Sequence, residues 1–291
     1  MFSVVTDHPD VPGDAPIIGL DHVILAVSDL EAAQAKARKL GFTTTDITAH
    51  VGWGTANTCV MFRGLDDQGD YLEILGVRDA SIGTNGLDDH LAEQGEGLLS
   101  LALKGRAELA AAAFDENGLA HLGIENLHRN VEVVPGMSQR ASFKLVRPQR
   151  GPFSPVPLFV CEHLTPQAVW ADRFVHHENG TLGIRAVQMR MADGSTLGEG
   201  YEALLTGKLT GSIAKPIGAD LEFYSAEDWA QIYPDAEAHE AIVYQVEDLT
   251  KTGEFLANSG LAFRPAMAGY RGYIVYPGDA GGAYAVFTDG T

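Results

Sequence analysis

Residues 19–27 read Gly-Leu-Asp-His-Val-Ile-Leu-Ala-Val and run directly into Ser28-Asp29-Leu30-Glu31. The first nine form an apolar run of strand length. The next four carry the marks of a helix start: Ser28 or Asp29 can cap the free N–H groups, and Glu31 in the first turn meets the positive end of the helix dipole. The helix this predicts, Leu30 to Leu40, is rich in alanine and stops at Gly41, a residue suited to the left-handed C′ position. Working outward, the threonine-rich stretch Phe42–Ile47 predicts a strand. Asn57–Phe62 predicts another, and Asp70–Val77 (Asp-Tyr-Leu-Glu-Ile-Leu-Gly-Val) a fourth, after the turn Asp66-Asp67-Gln68-Gly69. The order is β-α-β-β-β.

The unit recurs. Gly97–Leu103 reads as a strand, Ala107–Phe114 as a helix, and Asn130–Val134, Ala141–Val146 and Pro157–His163 as three further strands. A third copy opens with the strand Leu182–Met191 and holds a short helix at Tyr201–Leu205. The fourth is clearer: strand Glu240–Val246, helix Leu249–Asn258 capped by Asp248 and ended by Gly260, then strands at Leu261–Arg264, Tyr270–Tyr276 and Ala283–Thr288. Its helix start, Val246-Glu247-Asp248-Leu249, matches Val27-Ser28-Asp29-Leu30. Self-similarity of this kind outranks any single element as a guide to the fold. The predicted class is α+β, with tandem βαβββ modules pairing into curled mixed sheets. The predicted organisation is an extended lead-in at 1–16, an N-terminal pair of modules at 17–170 and a C-terminal pair at 171–291.

Composition narrows the partners. The 291 residues carry 39 acids against 20 bases, a formal net charge of −19. Such a surface repels phosphate backbones and anionic lipid, which speaks against nucleic acid and membrane as partners and for a small molecule. No apolar run approaches the roughly 18 residues of a membrane helix. The start of the chain holds Asp7, His8, Asp10 and Asp14 with no Lys or Arg, unlike a secretory leader, so a cytoplasmic location is the expectation. Cys59 and Cys161 form no CxxC pair and suit buried, reduced thiols. GxSxG, GxxxxGK[ST] and HExxH patterns are absent from the sequence.

The module order, the opening Leu20-Asp21-His22-Val23, the loop Gly54-Thr55-Ala56-Asn57 and the strand Tyr71-Leu72-Glu73-Ile74-Leu75 together resemble the vicinal oxygen chelate superfamily, and most closely its glyoxalase-like domain branch. The resemblance is specific over Ile18–Val77, extends over Gly97–His163, and rests beyond Thr181 on module order and the fourth helix start. It implies that paired modules curl into a cup around one divalent metal ion (Fe, Mn, Zn or Ni), with ligands from the first and last strands of each module. On that pattern His22, on a first strand, and Glu73, on a last strand, are ligands. Imidazole nitrogen and carboxylate oxygen suit such ions. The third ligand would come from the end of Leu158–His163. Alternation puts Phe159, Cys161 and His163 on one face and Glu162 on the other, so only one of the last two can face the cup. His163 is preferred and Glu162 is the fallback. Leu99 stands where a second first-strand ligand would be.

Trp53, Thr55 and Asn57 flank Gly54 in a loop that the resemblance places near the cup, as substrate-binding residues. The glycines there would let backbone approach a ligand. The C-terminal pair lacks a last-strand carboxylate before Asp289, and is expected to be structural or to form an apolar pocket lined by Tyr270, Arg271, Tyr273 and Tyr276. The function implied is a metal-dependent enzyme acting on a small substrate chelated through adjacent oxygens, by lyase, isomerase or ring-cleaving dioxygenase chemistry. The alternative is a non-catalytic protein that sequesters a small ligand in the same cup. Edge strands of open cups can pair two copies into a homodimer.

Overall fold

The computed structural model describes residues 15–65, 69–134, 136–149, 156–192, 209–210, 213–214, 218–266 and 270–290. Its N-terminal part runs β1 (Ile17–Val27), α1 (Leu30–Lys39), β2 (Thr48–Ala49), β3 (Thr55–Phe62), β4 (Asp70–Val77), α2 (Leu87–Gln94), β5 (Gly97–Gly105), α3 (Ala107–Glu116), β6 (His121–Val134), β7 (Met137–Pro148) and β8 (Leu158–His163). These strands form one eight-stranded sheet in the order β2-β3-β4-β1-β5-β8-β7-β6. The rest runs β9 (Thr181–Arg190), β10 (Leu209–Thr210), β11 (Ile213–Ala214), β12 (Asp220–Tyr224), α4 (Ala226–Ile232), β13 (Glu240–Val246), α5 (Leu249–Asn258), β14 (Phe263–Pro265), β15 (Gly272–Val275) and β16 (Tyr284–Thr288). It makes a second eight-stranded sheet, β10-β11-β12-β9-β13-β16-β15-β14.

Each sheet has the same logic. Within a module the first strand pairs parallel to the last, β1 with β4 and β5 with β8, and the two first strands meet antiparallel at the centre. The second sheet repeats this with β9, β12, β13 and β16. The α+β class with curled mixed sheets is therefore as expected.

The helix starts behave as their sequences dictate. Asp29 accepts from Ala32 N at 2.9 Å, and Glu31 and the Lys36, Arg38, Lys39 group complement opposite ends of the α1 dipole. Asp248 caps α5 in the same way, accepting from Thr250 N. The alternate apolar residues Val23, Leu25 and Val27 of β1 join Leu30, Ala33 and Ala37 of α1 in a core. That core continues through Phe42 and Phe62 to Tyr244 and Phe287 of the second sheet. Burying it supplies the main drive to fold.

The predicted strand at Phe42–Ile47 does not form; ladder pairing there is confined to Thr48 and Ala49. Its threonines divert the backbone instead. Thr45 Oγ1 accepts from Cys59 N at 2.8 Å, Thr58 Oγ1 and Gln34 Nε2 both donate to Thr45 O, and Thr43 Oγ1 donates to His176 O at 2.6 Å. Hydroxyls offering local bonds compete with a ladder. The expected strand Asn57–Phe62 forms and begins two residues earlier, so that Thr55, expected in a loop, lies in β3. Helices α2 and α4 and strand β12 were not anticipated. The expected helix Tyr201–Leu205 lies outside the described residues. Among the described residues no helix is long and apolar enough to cross a membrane.

Candidate functional site

The concave face of the first sheet collects the candidate residues. β1 departs from regular geometry there: its register against β5 shifts between Leu20 and His22. Neighbours on a regular strand point to opposite faces. Across this bulge Asp21 and His22 point to the same one, and Asp21 Oδ1 lies 2.6 Å from His22 Nδ1. The same oxygen lies 3.0 Å from His163 Nε2, at the end of β8. Asp21 is fully buried. Burial pushes its carboxyl up, but the adjacent His163 and His22 outweigh that and hold it well below the usual carboxylate range. A carboxylate only accepts, so both imidazoles donate to it. His163 is kept neutral by burial, against the pull of Asp21. Its Nδ1 is buried without a partner, as is Asp21 Oδ2.

With Nδ1 donating, His22 turns a bare Nε2 toward Glu73, whose Oε2 is 3.6 Å away. Tyr71 stacks on the His22 ring, centroids 4.2 Å apart and planes within 19°, which fixes the imidazole plane. Glu73 is held in turn: Asn57 Nδ2 donates to its Oε1 at 2.6 Å. His50, in the turn between β2 and β3, places Nε2 3.9 Å from Glu73 Oε1, while its Nδ1 meets the Thr55 hydroxyl at 2.8 Å. Burial lowers the His50 pKa, Glu73 opposes this and Arg129 reinforces it. Acid and imidazole thus alternate across the cup: His163, Asp21, His22, Glu73, His50.

His22 and Glu73 are therefore brought together, Asn57 supports Glu73 and Thr55 supports His50. His163 reaches the cup but spends Nε2 on Asp21. Glu162 does not face it: its carboxylate accepts from Ala107 N at 2.9 Å, satisfying a free N–H at the start of α3 on the opposite face. Trp53 is 50% exposed at the turn. Gly54 approaches backbone rather than ligand, since a Cβ there would sit 2.0 Å from Asp79 O. Sequence reasoning missed Asp21 and His50. Asp21 sat inside the diagnostic motif, but was given no role there. His50 had one signal, its position five residues before Thr55 across a Gly-rich turn.

Both thiols are free and buried. Burial pushes the Cys59 thiol up to about 12 and Cys161 well above its ordinary value, so neither is a ready nucleophile. Asp21, Cys161 and His163 bring one ligand atom each within 4.8 Å of one another, the only such trio among the described residues.

The second sheet holds a different arrangement. Glu222 on β12 is buried, with Tyr270 donating to Oε1 at 2.6 Å and Tyr224 and Gln188 donating to Oε2 at 2.7 and 2.8 Å. Trp229, Tyr233 and Tyr284 pack beside it. Of the four residues expected to line an apolar pocket, Tyr270 serves this polar network.

Comparison with known proteins agrees with the architecture. A triple variant of 4-hydroxymandelate synthase from Streptomyces coelicolor superposes with a TM-score of 0.53 at 15% identity, covering 94% of this chain and 92% of that one. Methylmalonyl-CoA epimerase from Streptomyces coelicolor matches 51% of this chain and 99% of its own at 17% identity and a TM-score of 0.41. The Mycobacterium tuberculosis epimerase matches 56% of this chain and 100% of its own at 16% identity and a TM-score of 0.39. A search of curated proteins found no match. The family model for the glyoxalase-like domain matches residues 20–205, well over half of the sequence and the whole of the His22–Glu73 cup, and the chain belongs to that family.

Proposed function

We propose that this chain is a metal-dependent enzyme of the vicinal oxygen chelate type, with its centre at His22 and Glu73. The observation that carries this reading is the pair itself: an imidazole nitrogen with a free lone pair facing a carboxylate oxygen at 3.6 Å. Two such donors on one ion, with bonds of about 2.0–2.2 Å, stand about 3.0–3.4 Å apart, so the pair fits after closing by a few tenths of an ångström. His50 offers a further donor through Nε2, 3.9 Å from Glu73 Oε1. His163, expected as the third ligand, has its Nε2 committed to Asp21 and serves to orient that carboxylate.

The surrounding residues support such a site. Asp21 fixes the His22 tautomer and leaves its Nε2 lone pair facing Glu73. Asn57 fixes one Glu73 oxygen and leaves the other. Thr55 holds the His50 ring. Supporting shells of this kind tune a metal's ligands. A bound divalent ion would supply Lewis-acid polarisation of two adjacent substrate oxygens and stabilise charge developing on them. Phe143, Phe159 and Tyr71 give the cup an apolar wall that limits water. The substrate is a small oxygenated molecule, and isomerase, lyase and ring-cleaving chemistry all use this first step.

The test is metal analysis of untagged protein, chelated and then offered Fe(II), Mn, Zn and Ni separately. About one equivalent retained by the wild type, and lost in H22A and E73A with unchanged circular dichroism, is the expected result. Equal retention by both variants refutes the centre. A second reading, sequestration of a ligand without turnover, draws on β5: Leu99 lines a cleft away from the cup, and Ala102, which stands opposite His22, carries no donor. Tight binding of a small molecule returned chemically unchanged would select it.

A further inference from the structure

One cation in the cup is not absorbed by the metal reading. Arg129 lies on β6, opposite Ala141 of β7. Ala141 is fully buried in the cluster formed by Cys59, Met61 and Tyr71 on the concave face, so strand pairing aims Arg129 into the cup. Its guanidinium lies 5.8 Å from the Phe143 ring centroid and faces Cys59, Tyr71 and Glu73. The sheet curls far enough to bring its edge strand β6 over β3 and β4 at the other end.

Among the described residues Arg129 forms no ion pair, whereas Arg147, six residues along β7 from the Ala141 that faces Arg129, is paired with Glu125 at 2.6 Å. Cys59 and the nearby Glu73 carboxylate favour the charge of this half-buried guanidinium, but no carboxylate pairs with it directly, and a ligand carrying an anion would supply that contact. In a chain of net charge −19, a cation inside a concave site that forms no ion pair is a selective feature.

We infer that the cup binds a substrate bearing a carboxylate, and that Arg129 receives it through its two-pronged donor edge while the rest of the molecule extends over Tyr71 toward His22 and Glu73. This rests on reading the cup as a substrate site, and it names the substrate class. A carboxylate fits better than a phosphate. A single guanidinium matches one planar carboxylate bidentately, while Glu73 and Asp21 in the same cup repel a dianion more strongly than a monoanion.

The experiment is calorimetric titration of the full chain, chelated so that the outcome does not depend on metal. The probes are acetate, malonate, 2-oxobutyrate and phenylacetate, each against its amide, with inorganic phosphate as a further arm. At least one carboxylate should bind roughly tenfold or more tighter than its amide, the scale of a charged bidentate contact. R129Q should abolish that preference and R129K restore part of it. R129M replaces R129Q if the latter fails to fold. No carboxylate preference in any pair, a preference surviving R129Q, or phosphate binding tighter than every carboxylate overturns the assignment. Failure here leaves the metal result of H22A and E73A standing. A chain that takes up no metal but keeps the preference refutes only the metal centre.

Discussion

Asp21 and His22 are consecutive residues on one strand, and their side chains share a hydrogen bond of 2.6 Å. A regular strand forbids this. The slip of β1 against β5 between Leu20 and His22 permits it, at the centre of the sheet where the two modules meet. Bulges re-aim side chains next to functional sites in this way. The consequence is chemical: a buried carboxylate fixes the imidazole so that its second nitrogen faces Glu73.

The pair makes a direct prediction. In D21N the side-chain amide no longer demands a donor from both imidazoles, and its NH₂ can donate to His22 Nδ1. The tautomer with the proton on Nε2 then gains population, and Nε2 is lost as a ligand. Metal affinity should fall about 10–100-fold while Glu73 and His50 stay in place. Chelator competition measures the affinity, and ¹⁵N shifts of His22 read the tautomer. An unchanged tautomer with unchanged affinity would remove Asp21 from the site.

Much of the architecture was legible in the chain. The strand Asp70–Val77 and the helix Leu249–Asn258 match their expected bounds, because a short, mostly apolar run after a turn and an aspartate cap are local signals. The pairing of His22 with Glu73 was legible through the motif. The bulge was not, since register depends on the partner strand. Nor was the fate of Thr43, Thr44 and Thr45: β-branched residues signal a strand, but the Thr43 hydroxyl donates to His176 O, that of Thr44 accepts from Arg38 of α1 and that of Thr45 accepts from Cys59 N of β3. Arg129 looked like any other basic residue on a strand. Only curling of the sheet carries it over the cup.

Gly54 tests how tightly the turn beneath the cup is built. Its N–H donates to Gly83 O at 2.7 Å, its carbonyl accepts from Arg78 N and Asp79 N, and an added Cβ would stand 2.0 Å from Asp79 O. The contact is backbone on backbone, so no side chain can swing aside. Gly54→Ala should cost about 2–4 kcal/mol, the range of overpacking with lost hydrogen bonds. Urea unfolding measures it. A loss under about 0.5 kcal/mol, the scale of an ordinary surface change, would contradict the packing.

His177 predicts an acid limit to stability. Its Nδ1 accepts from Thr43 N and its Nε2 donates to Met61 O, both at 3.1 Å, between the Phe42 and Phe62 rings. Burial lowers its pKa to about 4, with the Met61 bond opposing. The unfolded chain, titrating near 6.5, binds the proton more readily. Stability is therefore present above pH 6.5 and lost as pH falls toward 4, by up to about 3 kcal/mol. In H177Q, which cannot protonate, the melting temperature should change less over that window. NMR should show His177 titrating far below its ordinary value. Titration near 6.5 would refute the burial argument.

Glu240 predicts the opposite slope. It opens β13 and sits in the cleft between the sheets beside Gly97, near Glu96 and Glu237. Burial pushes its pKa up to about 7, with a backbone bond at His239 opposing. Between pH 4.5 and 7 the folded chain holds the proton that the unfolded chain releases. The stability this confers is complete below pH 4.5 and disappears as pH rises through 7. A shift of this size corresponds to at most about 3 kcal/mol. E240Q keeps the shape of the protonated acid at every pH. It should match the wild type near pH 4.5 and exceed it at pH 8, where the wild type must bury an ionised carboxylate in an acidic cleft. Paired denaturant unfolding at the two pH values decides the matter, and a gap between variant and wild type that does not widen with pH would show that Glu240 is solvated in the folded protein.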